Sequence, residues 1–237
     1  MLKIRNKQNF SQYLDSVAKI NDSAIFDIDT NGISCLVSSI DNTLVLYTEF
    51  KEEQDISRSI NVPDLKKLHR VVDTIDESSF ELNINNNNLE FRGKNVKFKY
   101  HLFEEGFLTK PGLNLQKIKD FDYDINFTVD KSLLQQLFKG STFASETNKV
   151  YFYTEDGKLK AELTDRARHN TDVFAITIAD EVDFTLEPLP VNFDNIRLLT
   201  SITSKYEFSI NTEYGVVIVD NSNNTTKLKY IISSLTQ

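Results

Sequence analysis

The side chains best able to do chemistry are sparse in this chain of 237 residues: three histidines, one cysteine and scattered acidic pairs. His69, His101 and His169 lie far apart, without the short spacing that lets two imidazoles share a metal ion. Cys35 has no second thiol for a disulfide or thiolate cluster, and its setting over 33–37 reads as a strand. The pairs Glu104-Glu105 and Asp180-Glu181 fall in loops or at strand ends, where solvated surface charge is the ordinary explanation. A glycine-rich phosphate loop and a nucleophile elbow are both missing from the sequence. The expectation is a protein that is not an enzyme, with no catalytic residue, no metal and no cofactor.

The chemistry left is electrostatic. Lys19, Lys66, Arg70, Lys139 and Arg197 fall on the polar sides of four amphipathic segments, and at 100° per residue Lys66 and Arg70 lie opposite the stripe Leu65/Leu68/Val72. Lys7, Lys67, Lys131 and Lys205 lie nearer the flanks. Bases opposite an apolar stripe form either a solvated helix surface or, when several helices share the arrangement, a weakly basic face suited to phosphate without reading sequence. The windows 7–20, 64–72, 130–140 and 194–205 hold nine bases against four acids, in a chain of net charge −8. Extending the second window through Asp73, Asp76 and Glu77 removes most of that excess. The basic loop Asp165-Arg166-Ala167-Arg168-His169 reads as a solvated turn.

Those segments belong to a unit that occurs four times, beginning near Asn9, Asp64, Lys131 and Asp194. Each opens with a helix whose apolar residues recur at three-and-four spacing: Phe10/Leu14/Val17, Leu65/Leu68/Val72, Leu133/Leu134/Leu137 and Ile196/Leu199/Ile202. Three strands follow each helix, over 24–28, 33–37 and 43–50; 80–84, 89–92 and 96–103; 150–154, 159–164 and 173–178; and 206–211, 216–219 and 228–232. Glu155-Asp156-Gly157 marks a hairpin turn. Pro63 suits a first helical position, and Asp130 and Asp194 suit helix N-termini. Copies one and three, and two and four, lie about half a chain apart, which is the mark of a duplication.

The fold class expected is therefore α+β, with two similar domains over 1–106 and 125–237, each with two helices on one face of antiparallel sheets. The connector over 107–124 holds Phe107, Leu108, Leu113, Leu115, Ile118 and Phe121, apolar enough to pack on the body or to receive a partner. With 40% hydrophobic and 26% charged residues, the composition is that of an ordinary globular protein. No apolar stretch reaches membrane-spanning length, so no membrane partner and a cytoplasmic location are expected.

Tyr13-Leu14-Asp15-Ser16-Val17-Ala18-Lys19-Ile20-Asn21, Asn31-Gly32-Ile33, Leu133-Leu134-Gln135-Gln136-Leu137 and Asp156-Gly157-Lys158-Leu159 together resemble the sliding clamps of T-even-type tailed phages. The chain is also similar in order and size to the wider proliferating-cell-nuclear-antigen family. The resemblance implies a homotrimeric ring around double-stranded DNA, held without sequence preference, that tethers a DNA polymerase and is opened by a clamp loader. It implies DNA-facing Lys19, Lys66, Arg70, Lys139 and Arg197. It implies a partner-peptide groove at Val37, Ile40, Leu113, Leu115, Ile118, Tyr230, Ile231 and Ile232, although plain strand core explains the last three equally well. Subunit contacts would join sheet edges at Val96, Phe98, Tyr100 and Leu102 and at Val173, Ala175 and Ile178. A β-rich self-assembling interaction protein without DNA is the competing expectation.

Overall fold

The computed structural model describes residues 1–235. Its elements fall into four β-α-β-β-β units. The first holds β1 (Leu2–Ile4), α1 (Lys7–Ala18), β2 (Ala24–Asp29), β3 (Gly32–Ser38) and β4 (Leu44–Phe50). The second holds β5 (Arg58–Val62), α2 (Leu65–Asp73), β6 (Phe80–Ile84), β7 (Asn88–Arg92) and β8 (Lys97–His101). A short helix, α3 (Leu115–Lys119), precedes the third unit, which holds β9 (Ile125–Asp130), α4 (Lys131–Gly140), β10 (Lys149–Glu155), β11 (Lys158–Leu163) and β12 (Phe174–Ala179). The fourth holds β13 (Leu189–Asn192), α5 (Phe193–Arg197), β14 (Lys205–Asn211), β15 (Val216–Asp220) and β16 (Thr226–Ser233).

Each repeat thus starts one strand earlier than its helix, and those four opening strands escape a reading of local periodicity. β1 is three residues long and β13 carries Pro190, so neither presents a full alternating run. They pair with the other repeat of their own half: β1 with β6, β5 with β2, β9 with β14 and β13 with β10, all antiparallel. Each repeat lends its first strand to its neighbour's sheet and receives one in return.

Three helix expectations are corrected. Asp64, not Pro63, heads α2, its carboxylate accepting the Lys67 N–H at 2.8 Å. Asn192 rather than Asp194 caps α5, and Asp130 heads α4 without a side-chain cap bond. α5 also stops at Arg197, so Leu199 and Ile202 lie beyond it. There the Tyr230 hydroxyl takes the Thr200 N–H at 2.9 Å, and Asn221 Oδ1 takes those of Ile202 and Thr203 at 2.7 and 3.0 Å. Side-chain acceptors from distant strands replace the helical carbonyls. The connector, read as linker, contains α3, whose Asn114 cap accepts the N–H groups of Gln116 and Lys117.

The chain divides into two compact units. The first comprises Met1–Leu113 with Ser222–Lys229. Its sheets run β1-β6-β7-β8 and β5-β2-β3-β4, the latter continued by the first residues of β16, where the Thr48 hydroxyl donates to Lys227 C=O at 2.7 Å. Phe10, Tyr13, Leu14 and Val17 of α1 and Leu65, Leu68 and Val72 of α2 are buried. Tyr13 lies 5.5 Å from Phe50 and 5.8 Å from Phe26, ring centre to ring centre, which fastens α1 to β2 and β4.

The second unit comprises Asn114–Asn221 with residues 230–235. Its sheets run β12-β11-β10-β13 and β9-β14-β15 with the remainder of β16. Phe208 packs against Phe127 at 5.1 Å and Phe152 at 5.6 Å, and Phe138 of α4 meets Phe193 of α5 at 5.9 Å. The β10–β11 turn places Asp156 at φ 52° and Gly157 at φ 72°, the pair of left-handed residues that a two-residue hairpin needs. At the end of α4, a Cβ on Gly140 would come within 2.1 Å of the Phe174 ring, so only glycine lets β12 lie this close to the helix.

Candidate nucleic-acid and partner interfaces

The bases singled out from sequence are exposed, and four of the five gather at helix C-termini. Lys19 is the residue that ends α1, while Arg70, Lys139 and Arg197 occupy the last turns of α2, α4 and α5. A cation there complements the partial negative charge of the terminal carbonyls, which gives these residues a stabilising role of their own.

Their freedom differs. Lys19 Nζ lies 2.8 Å from Asp15, one helical turn back, and Lys66 Nζ lies 2.7 Å from Asp22 in the α1–β2 loop. Arg197 is held three ways: Nη1 on Asp194 at 2.8 Å, Nη2 on Ser141 Oγ at 2.9 Å, and its guanidinium 4.5 Å above the Phe193 ring. Arg70 and Lys139 have no ion pair among the described residues. The positive excess on these helices is therefore thinner than a count of bases suggests, because Asp15, Asp22 and Asp194 neutralise three of the five. Among the flanking candidates, Lys7 donates to Asp73 C=O at 3.4 Å and to Ile75 C=O, closing the C-terminus of α2. Lys67 lies 6.0 Å over the Tyr100 ring.

Between α1 and α2, Ser11 Oγ lies 2.8 Å from His69 Nε2 and 2.6 Å from Asp73 Oδ1. The residue types are those of a hydrolytic triad, but Asp73 also approaches Nε2, at 3.5 Å, so it does not orient the imidazole through Nδ1. The group fastens one helix to the other. No cluster of three or more His, Cys, Asp or Glu able to hold a metal occurs among the described residues. Burial raises the Cys35 thiol far above its ordinary pKa, so the one cysteine is an inert core residue.

The candidate partner residues are placed unevenly. Val37 is buried on β3, whereas Ile40, in the β3–β4 turn, is 95% exposed. In the first unit a small cavity is lined by Leu36, Val37, Asn42, Leu108, Lys110 and Pro111, among others, so the connector does overlie β3 there. Leu113 is half-buried. In the second unit Leu115 and Ile118 lie on α3, half-buried and buried respectively. Tyr230, Ile231 and Ile232 are all buried, and the Tyr230 hydroxyl is used by Thr200. Strand core accounts for them.

Both candidate subunit strands lie at sheet ends, β8 in one unit and β12 in the other. Tyr100 is buried, its hydroxyl donating to Asp64 C=O at 2.7 Å, and Leu102 is buried as well. Val96 and Phe98 are half-buried. On β12 and just before it, Val173 and Ala175 are exposed while Ile178 is half-buried. What each edge offers is chiefly its backbone N–H and C=O groups, with the inward side chains already committed.

The likeness to known proteins lies in structure. No protein-family model and no curated protein matches the sequence. Proliferating cell nuclear antigen (PCNA) from A. fulgidus, solved with the C-terminal region of FEN-1 bound, superposes with a TM-score of 0.76 at 12% identity, over 100% of this chain and 99% of that one. PCNA from Thermococcus kodakaraensis gives 0.75 at 12% identity, covering 99% of both chains. PCNA from Entamoeba histolytica gives 0.74 at 10% identity, over 99% of this chain and 98% of that one. The chain thus has the fold of PCNA-type sliding clamps from end to end.

Proposed function

We propose that this protein is a sliding clamp, a processivity factor whose three copies close into a ring around duplex DNA and hold a DNA polymerase on its template. The observation that carries the reading is the four-unit fold itself, which corresponds over its whole length to PCNA chains. A further PCNA structure, a PCNA2–PCNA3 complex from Sulfolobus tokodaii, joins clamp chains to one another, and strand pairing between β8 and β12 would do the same here. The finer placement among T-even-type phage clamps rests on the residue runs around Tyr13, Asn31, Leu133 and Asp156.

The mechanism is topological. A closed ring needs no tight grip on DNA, and weak contacts exchanged with counterions let it slide. Arg70 and Lys139 supply the uncompensated charge for those contacts, while the paired Lys19, Lys66 and Arg197 keep the lining close to neutral. Acidic charge elsewhere keeps DNA away from the outside. A short apolar peptide from polymerase or loader docks by the connector at Val37, Ile40, Leu113, Leu115 and Ile118; that A. fulgidus PCNA is solved with the C-terminal region of FEN-1 bound supports a partner segment of this kind. The chain works as a tether in the cytoplasm, the host's if the gene is a phage's, and catalyses nothing itself.

The test is retention on DNA. Loaded by its clamp loader, the protein should stay on a closed circle and run off the same DNA after linearisation. Equal loss from both would exclude encirclement. Light scattering should give the mass of three chains, and a monomer at every concentration would remove the ring while leaving the fold.

A further inference from the structure

We propose a second docking site in the first unit, at the free edge of β5, that takes an extended acidic segment of a partner protein by strand addition. The inference does not depend on the ring reading. β5 ends its sheet, with β2 on one side only. On its other side a single bridge joins Asn61 to Phe103, whose N–H donates to Asn61 C=O at 2.9 Å. Asn61 Nδ2 also donates to Glu104 C=O at 3.0 Å, and beside these contacts lies a cleft of about 1060 Å³ lined by Arg58, Ser59, Leu102, Phe103, Glu105 and Leu108, among others.

Three features of the cleft point to one kind of occupant. Alternate residues of an antiparallel strand turn their backbone groups the same way, so Ser59 directs its N–H and C=O to the open edge as Asn61 does. That is the template on which an added strand forms. Phe103, which lines the cleft, stacks at 5.7 Å on Phe107, which does not, and the two remain 41% and 68% exposed, an apolar platform left in water. Arg58 Nε is the one buried side-chain nitrogen or oxygen without a hydrogen-bond partner among the described residues. Lys110, also in the cleft, is already paired with Asp27, and Glu105, which lines the cleft as well, forms no ion pair with Arg58. The half-buried Arg58 guanidinium, without an ion pair among the described residues and next to a strand edge, calls for a carboxylate on the incoming strand. The occupant is thus an extended peptide carrying an Asp or Glu for Arg58 and an apolar side chain for the phenylalanine pair.

The test uses the intact chain. A displayed library of random ten-residue peptides is selected on the wild type and, separately, on Arg58→Gln, and enriched peptides are synthesised and titrated by fluorescence anisotropy. Expected is a class rich in Asp or Glu that binds Arg58→Gln and Phe107→Ser about tenfold more weakly than wild type. Its binding should shift backbone amide resonances over 57–61. Absence of an acidic class, equal binding to Arg58→Gln, or amide shifts confined to the connector would each overturn the site. So would a fall in assembly mass with Phe107→Ser, which would mean that a second copy of the chain covers the platform.

Discussion

Arg197 reaches from α5 to the end of α4, its Nη2 2.9 Å from Ser141 Oγ, whereas Arg70 on α2 is exposed and has no ion pair among the described residues. Two bases that look alike in sequence therefore do different work. Replacing Arg197 with Ala should cost about 1 kcal/mol of stability through the lost charged hydrogen bond. Arg70→Ala should stay within about 0.5 kcal/mol. Urea unfolding of the two variants measures the contrast, and equal losses would show that the Arg197 bridge contributes nothing.

On DNA the order reverses. Arg70→Glu and Lys139→Glu should shorten residence on circular DNA and reduce the salt dependence of retention by about one counterion for each site per chain. Lys66→Glu should do less, because Asp22 already offsets Lys66 at 2.7 Å. Dwell times at several salt concentrations decide this, and an unchanged Arg70→Glu would remove that residue from the lining.

Gly140→Ala should destabilise the second unit by about 1–3 kcal/mol, although alanine is the better helix former, because the new methyl drives into the Phe174 ring. Thermal unfolding should register the loss. Trimming the ring in Gly140→Ala/Phe174→Leu should restore part of it, and absence of any rescue would place the cost elsewhere.

Acid should weaken both units through carboxylates held below their ordinary range. Hydrogen bonds from the Ser39 hydroxyl lower Asp41, and bonds from the Thr212 hydroxyl and N–H lower Asp124. A depressed carboxylate contributes stability above its unfolded pKa and loses it as pH falls through the folded value, so the loss should come below about pH 4. Glu52 runs the other way: burial raises its pKa, so its ionisation costs stability as pH rises through the raised value. Urea midpoints between pH 3 and pH 7 should fall less steeply on acidification for Asp124→Asn than for wild type.

Much of this structure was legible from local patterns. The three strands after each helix follow from alternation and turn residues, and Asp156-Gly157 is a hairpin because both residues take positive φ. The apolar stripes of α1 and α2 are buried as their spacing predicts, and so are Leu134 and Leu137 of α4, whereas Leu133 is half-buried. What stayed hidden depends on residues far apart in the chain. β1 is a strand because β6 lies beside it, α5 is short because Tyr230 and Asn221 capture the next N–H groups, and Lys66 is neutralised by a loop aspartate that no helical spacing points to. The Asp15–Lys19 pair lies at i, i+4 spacing on one helix, yet a count of bases on polar faces passes over it.

The exchange of opening strands also sets an order of events for a chain emerging from the ribosome. Leu2 pairs with Leu82, so β1 must wait, unpaired, until the second repeat has been made as far as β6. β9 waits in the same way for β14. Neither repeat of a pair can finish its sheet alone, which makes the pair the smallest piece expected to fold. Cutting the gene between the first and second repeats should yield two aggregating fragments, each exposing an edge meant for the other.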